Sequence, residues 1–327
     1  MKTLLESISE QSLTIFLWCT GKCHTSEEEK SDYFYPQYLF YEYGITNPHA
    51  LYHALFSSGY YEPASLDDIL FSSNSTELKA LLKDNGLKVS GNKAELINRI
   101  KNCIPQSVLD DFRIGSGFYS LSTTAKSFVD EHYDYVLLHK YSRWNISLEE
   151  LNQAKSTLGW QPVSFRDAAW NIFNERMLQH SMRKDFMNFH MDITGLAEIS
   201  FDFDKDMKNG VYFLLIALYL DINCLIYHMD YLLYLNHDIP KCDLNSLHHG
   251  GFITEYSVEK IRKYRDYIDL NMVKDAYCFV PTYPLKLYSQ QDFSDMVLEI
   301  IQNDAFDIDK WCDFSQKRFE EFVKSLD

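Results

Sequence analysis

Along most of the 327-residue chain, apolar side chains recur at spacings of three and four, the pattern of helices with one buried face. Leu51, Leu55 and Phe56 mark such a stripe within 46–59, where Asn47 supplies a cap, Pro48 the first helical position and Gly59 the stop. Residues 64–70 (ASLDDIL) predict one short turn or helix. Leu78, Leu81 and Leu82 form a stripe that ends at Gly86, and Leu96, Ile97 and Ile100 form a second that begins after Asn92. Two short apolar runs around Gly115-Ser116-Gly117 predict a small β-hairpin over 108–121. Helix returns over 123–141, and within 144–160 Ser147 and Glu150 have the spacing of a capping box. From about 160 onward the pattern is helical throughout, with helices predicted over 164–189, 207–235, 255–275, 291–303 and 309–325. The densest apolar run, VYFLLIALYL at 211–220, meets Asp221 well before the roughly 20 residues a bilayer span requires. It reads as a buried core helix, and no membrane association is expected.

Composition supports this picture. Apolar residues make up 46% of the chain, enough for a real core, while only 12 glycines and 8 prolines interrupt it. The expected fold is mostly α, in two domains. An N-terminal segment (1–32) precedes a first domain (33–145) and an acidic all-helical domain (146–327). The seven cysteines are scattered and odd in number, and Glu6 and Glu10 interrupt the first apolar patch, so a reducing cytoplasm with free thiols is expected.

Charge then singles out one stretch. The net charge is −16, which argues against a broad nucleic-acid-coating surface. Yet LKALLKDNGLKVSGNKAELINRIK, residues 78–101, carries six cationic and two anionic side chains, a +4 island that leaves about −20 for the remainder. Gly86 ends its first helix, Leu87 and Val89 are expected to plug the space between helices, Gly91 tightens the turn, and Asn92 caps the second helix with Glu95 at its third position. The start of that second helix presents free N–H groups and a positive dipole end, with Lys88, Ser90 and Lys93 clustered about it. One phosphate fits there, and Arg99 and Lys101 are placed to reach a neighbour.

These residues closely resemble the SAP module, a small DNA-binding helical pair of chromatin, repair and phage proteins; the match runs through Leu78, Leu81, Leu82, Gly86, Leu87, Ser90, Gly91, Lys93, Glu95, Leu96, Ile97, Arg99 and Ile100. The surrounding arrangement is similar to SAP-containing proteins of Gram-positive bacteria and their phages. The resemblance implies backbone contact with double-stranded DNA through Lys79, Lys88, Ser90, Gly91, Asn92, Lys93, Arg99 and Lys101. Some 25 residues cannot bury a core alone, so the pair is expected to lean on its flanks. The order helix 46–59, basic pair, hairpin and helix also resembles a winged helix, which would put Arg113 on a wing near a second phosphate.

Other constellations carry less. Cys19, Cys23 and His24 invite a zinc reading but lack a second ligand pair nearby. DFDKDMKNG (202–210) has the alternating acids of a calcium loop, but Met207 and Phe213 stand where such a loop needs Gly and Glu. His190 with Asp192, His228 with Asp230, His237 with Asp238, and His248-His249 follow no nuclease motif. No cofactor or metal is therefore expected. The leading reading is a non-enzymatic DNA-binding protein whose helical body docks a protein partner or a second copy. A nucleic-acid-processing enzyme with its active site in the helical half is the second reading, and a protein-interaction adaptor without DNA binding the third.

Overall fold

The computed structural model describes residues 8–31, 33–160, 162–223, 253, 255–279, 286–303 and 305–325. The fold is mostly α, with a small three-stranded sheet and a SAP-like helical pair. The chain divides into two compact units, Met1–Tyr141 and Ser142–Asp327.

In the first unit, α1 (Glu10–Thr20) leads to the short strand β1 (His24–Thr25). Helix α2 (Pro48–Ser57) follows, capped by Asn47, whose side chain accepts from the Ala50 N–H at 3.0 Å. Strand β2 (Tyr61–Pro63) opens an excursion of four helices: α3 (Leu66–Ser72), α4 (Ser75–Asp84), α5 (Lys93–Cys103) and α6 (Gln106–Gly115). The chain returns through β3 (Phe118–Leu121), which pairs antiparallel with β2, Tyr61 opposite Leu121 and Pro63 opposite Tyr119, and on its other side with β1. The excursion is thus closed at its base by two neighbouring strands. Helices α7 (Thr123–Glu131) and α8 (Tyr133–Lys140) complete the unit. Its main core gathers Ile15, Phe16 and Leu17 of α1 with Leu51 and Leu55 of α2, Tyr61, Leu121 and Val136.

The predicted hairpin at 108–121 is not formed. Leu109 and Phe112, one helical turn apart, pack against the basic pair and make this stretch α6. Gly117, at φ +64°, then turns the chain into β3, whose partners lie before the pair in sequence. Arg113 accordingly lies in the last turn of α6 and not on a wing.

The second unit holds α9 (Leu148–Leu158), α10 (Phe165–Arg183), α11 (Phe186–Ile199), α12 (Met207–Ile222), α13 (Glu255–Lys263), α14 (Leu270–Cys278), α15 (Gln290–Gln302) and α16 (Ile308–Ser325). As the run at 211–220 predicts, α12 is the core helix, with Val211 and Leu215 through Leu220 buried. Among the described residues no helix is long and apolar enough to cross a membrane. The predicted helix 164–189 is two helices. Lys184 adopts a left-handed φ of +58°, and Asp185 caps α11 by accepting from the Asn188 N–H at 3.2 Å. Ser147 caps α9 as expected, but Glu150 does not complete the box; its carboxylate makes a two-pronged pair with Arg176 at 2.8 and 2.5 Å.

Candidate nucleic-acid interface

The basic pair is fixed by its termini. Asn74 and Glu77 form a capping box on α4, and Asn92 and Glu95 form one on α5, where Asn92 Oδ1 accepts from the Glu95 N–H and Glu95 Oε2 from the Asn92 N–H, both at 3.0 Å. Helix α4 ends in a Schellman turn. Gly86 takes φ +68°, its N–H reaches the Lys83 carbonyl at 3.0 Å, and the Leu87 N–H reaches that of Leu82 at 2.8 Å. Gly91 sits at φ +132°, and a Cβ there would collide with the Glu95 carboxylate, so both its backbone and the capping box require glycine.

The pair does lean on its flanks. Leu78 and Leu82 of α4, Leu96, Ile97 and Ile100 of α5, and Ile104 share a core with Leu70 of α3 and Leu109 of α6, while Leu66, Leu81, Leu87 and Phe112 pack at its edge. Val89 is no plug; it is 40% exposed in the turn, because Leu87 already fills the gap. Helix α3 is itself tied down. The Asp68 carboxylate accepts from Ser120 Oγ of β3 at 3.1 Å and from Lys126 Nζ of α7 at 3.3 Å. Burial pushes this carboxyl up, but its bonds to Ser65, Lys126 and Ser120 outweigh burial and hold it below the usual aspartate range.

The cations of the site fall into two groups. Lys93, the first residue of α5, donates from its ammonium to the Phe71 carbonyl at 2.6 Å, so it satisfies an orphan carbonyl at the C-terminal end of α3. Arg99 Nη1 donates to the carbonyls of Lys88 (2.6 Å) and Ser90 (3.0 Å), clamping the turn from the side of α5. Lys101 pairs with Asp67 of α3 at 2.7 Å, two turns along α5 from Lys93 and facing α3 rather than the turn. The ammonium groups of Lys79 and Lys88, by contrast, are exposed and bond to none of the described residues, and the same holds for Lys83, one turn beyond Lys79 on the same face of α4. At the start of α5, Asn92 takes the Glu95 N–H and leaves those of Lys93 and Ala94 open. Lys88, Ser90, Gly91, Asn92, Lys93 and Arg99 are therefore brought together at one turn, Lys79 stands on the neighbouring helix, and Lys101 is held apart.

Sequence reasoning missed Lys83, Asp67 and the anchoring of Lys93 by the backbone carbonyl of Phe71. Lys83 was legible, since its spacing from Lys79 places both on one face. The pairing of Lys101 with Asp67 was not, because the two are brought together only by the packing of α3 on α5. This packing also changes the electrostatics. The four helices, 66–115, together carry seven cationic and seven anionic side chains, so the net charge of the +4 island is offset by its flanks and a positive surface remains only where its lysines stand free.

Elsewhere the titratable residues are taken up locally. His24 commits Nδ1 to the Lys22 carbonyl (2.6 Å) and Nε2 to Tyr52 Oη (2.7 Å), and burial pushes the Cys19 thiol up to about 12, so it stays protonated. Asp204 pairs with Arg166 at 2.6 and 2.8 Å. His190 and Asp192 do not act as a pair: Asp192 hydrogen-bonds with His180 at 2.6 Å, while His190 Nε2 lies 2.9 Å from the Asp221 carboxylate without forming a hydrogen bond to it. Among the described residues no three His, Cys, Asp or Glu side chains converge as a metal site. His228, Asp230, His237, Asp238, His248 and His249 lie outside the described residues.

Comparison with known proteins agrees with this geometry at one place. No curated protein and no solved structure matches the chain. Residues 74–102, from the cap of α4 almost to the end of α5, match the SAP domain family, which points to nucleic-acid binding in general.

Proposed function

We propose that this protein binds double-stranded DNA through the phosphate backbone, using the turn 88–93, the start of α5 and the free lysines of α4. The observation that carries the reading is the coincidence of the SAP match with an open helix start next to exposed Lys88, with Lys79 and Lys83 exposed on α4 and without a partner among the described residues. Such contacts read charge and spacing, and little base sequence. Lys93 and Arg99 contribute as well, each with donors left over after its bond within the fold. Lys101, neutralised by Asp67, contributes least.

Residues 142–327 act as a non-enzymatic body that docks a protein partner or a second copy in the cytoplasm. Its 29 acidic against 19 basic residues keep it off DNA. Exposed Leu178 and Met182 near the end of α10, with Met187 and Met191 at the start of α11, support the docking role, since flexible thioether side chains in water mark adaptable contact surfaces. The test is a pair of binding measurements. The full chain should retard a duplex in a gel and the fragment 142–327 should not; retardation by the fragment would overturn this division of labour.

A further inference from the structure

Phe71 belongs to the last turn of α3, where Ile69 and Leu70 form the buried face, and its ring is 64% exposed. Packing does not account for a phenyl ring in water at this point. What does fix its place is Lys93, whose ammonium holds the Phe71 carbonyl at 2.6 Å and so binds the backbone of Phe71 to the first residue of α5. The backbone that carries the ring is thus held one lysine side chain away from the start of α5, the end of the turn that carries Lys88, Ser90 and the open N–H groups of Lys93 and Ala94.

A planar apolar surface next to cations and phosphate-directed N–H groups is the composition with which proteins hold unpaired nucleotides, the ring stacking on a base while the charges hold the adjoining phosphate. Within a continuous duplex every base face is covered by its neighbours, so the ring has nothing to stack on there. Apart from the outer faces of the terminal base pairs, it gains a partner only where a strand runs on unpaired. We infer that Phe71 is a stacking platform for an unpaired base, and that the protein favours DNA carrying a single-stranded extension over a blunt duplex. The inference rests on the backbone-binding reading above and adds a substrate class to it.

The experiment compares two fluorescently labelled probes, a blunt duplex and the same duplex with a short single-stranded extension, by anisotropy with the full chain. The extension should tighten binding by on the order of five- to a hundredfold, the range that one or more stacked bases supply. Phe71→Ala should abolish most of that ratio and leave the blunt-duplex affinity as it was; the additional phosphates of the longer probe are common to both proteins and do not produce this difference. Phe71→Trp should keep the ratio, and the emission that the new indole adds should be quenched by the extended probe only. Equal affinity for the two probes, or a preference that survives Phe71→Ala, overturns the stacking role while the backbone reading stands. Failure of both probes to bind overturns the two together.

Discussion

Lys88 and Lys93 stand five residues apart with the same charge, but only Lys93 is bound into the fold. Sequence reasoning alone makes Lys93 the natural charge-reversal probe, because a carboxylate at the first position of α5 suits the helix dipole. The structure changes that expectation. Lys93→Glu would leave the Phe71 carbonyl without its donor and set a carboxylate near it, which costs about 0.5–1.5 kcal/mol and offsets the gain at the dipole. Lys88 offers the cleaner test. Lys88→Glu should weaken duplex binding several-fold and lower the salt slope by about one or two, with the thermal midpoint unchanged, whereas Lys93→Ala should lower both affinity and midpoint. Parallel melting curves and anisotropy titrations separate the two. The residues of the turn were legible because caps and glycines act over three or four positions. Gly86, Gly91, Asn92 and Glu95 each take the role their spacing implies. Phe71 was not legible in this way, since its link to Lys93 spans 22 positions and goes through a backbone carbonyl that no sequence pattern marks.

At the scale of elements, the basic pair is the middle of a four-helix unit standing on two strands. Its core is small, so individual positions matter. Leu96→Ala, at a fully buried site, should cost roughly 2–5 kcal/mol. Gly91→Ala should cost about 1–3 kcal/mol, through both the positive φ and the displaced Glu95 carboxylate. Chemical denaturation of each variant measures these costs. Asp68 adds a pH dependence. Its folded carboxyl is held below the ordinary aspartate value of about 3.9, so the tie from α3 to β3 and α7 contributes fully above that value and is lost as pH falls through the folded one. The carboxylate is about a third exposed and the pair with Lys126 is partly screened, so the contribution is small, under about 1 kcal/mol. Asp68→Asn should flatten the acid side of the stability curve and leave the neutral side slightly lower. The misplaced hairpin at 108–121 is instructive here. The Gly-Ser-Gly at 115–117 does mark a turn, but one between a helix and a strand, and Leu109 and Phe112 serve equally well as strand or helix residues until the neighbouring core selects the helix. The break at Lys184 escaped notice for a related reason, because no glycine or proline announces a left-handed lysine.

For the whole molecule, the acidic background sets the limits of the proposed DNA contact. The helical class followed from periodicity, which accumulates over many residues, and the core role of 211–220 from its unbroken apolar run. The pairing of Lys101 with Asp67 did not, since α3 and α5 meet only once the chain is folded. Few cations remain free, so the contact covers few phosphates. The measurement that tests the central claim most directly is the dissociation constant of the full chain for a blunt duplex as a function of salt. With about two to four phosphates neutralised, affinity should fall roughly tenfold to a hundredfold between about 50 and 200 mM salt, as a straight line on logarithmic axes that becomes shallower in Lys88→Glu. An affinity independent of salt, or a slope that Lys88→Glu leaves unchanged, would contradict a phosphate contact at this turn.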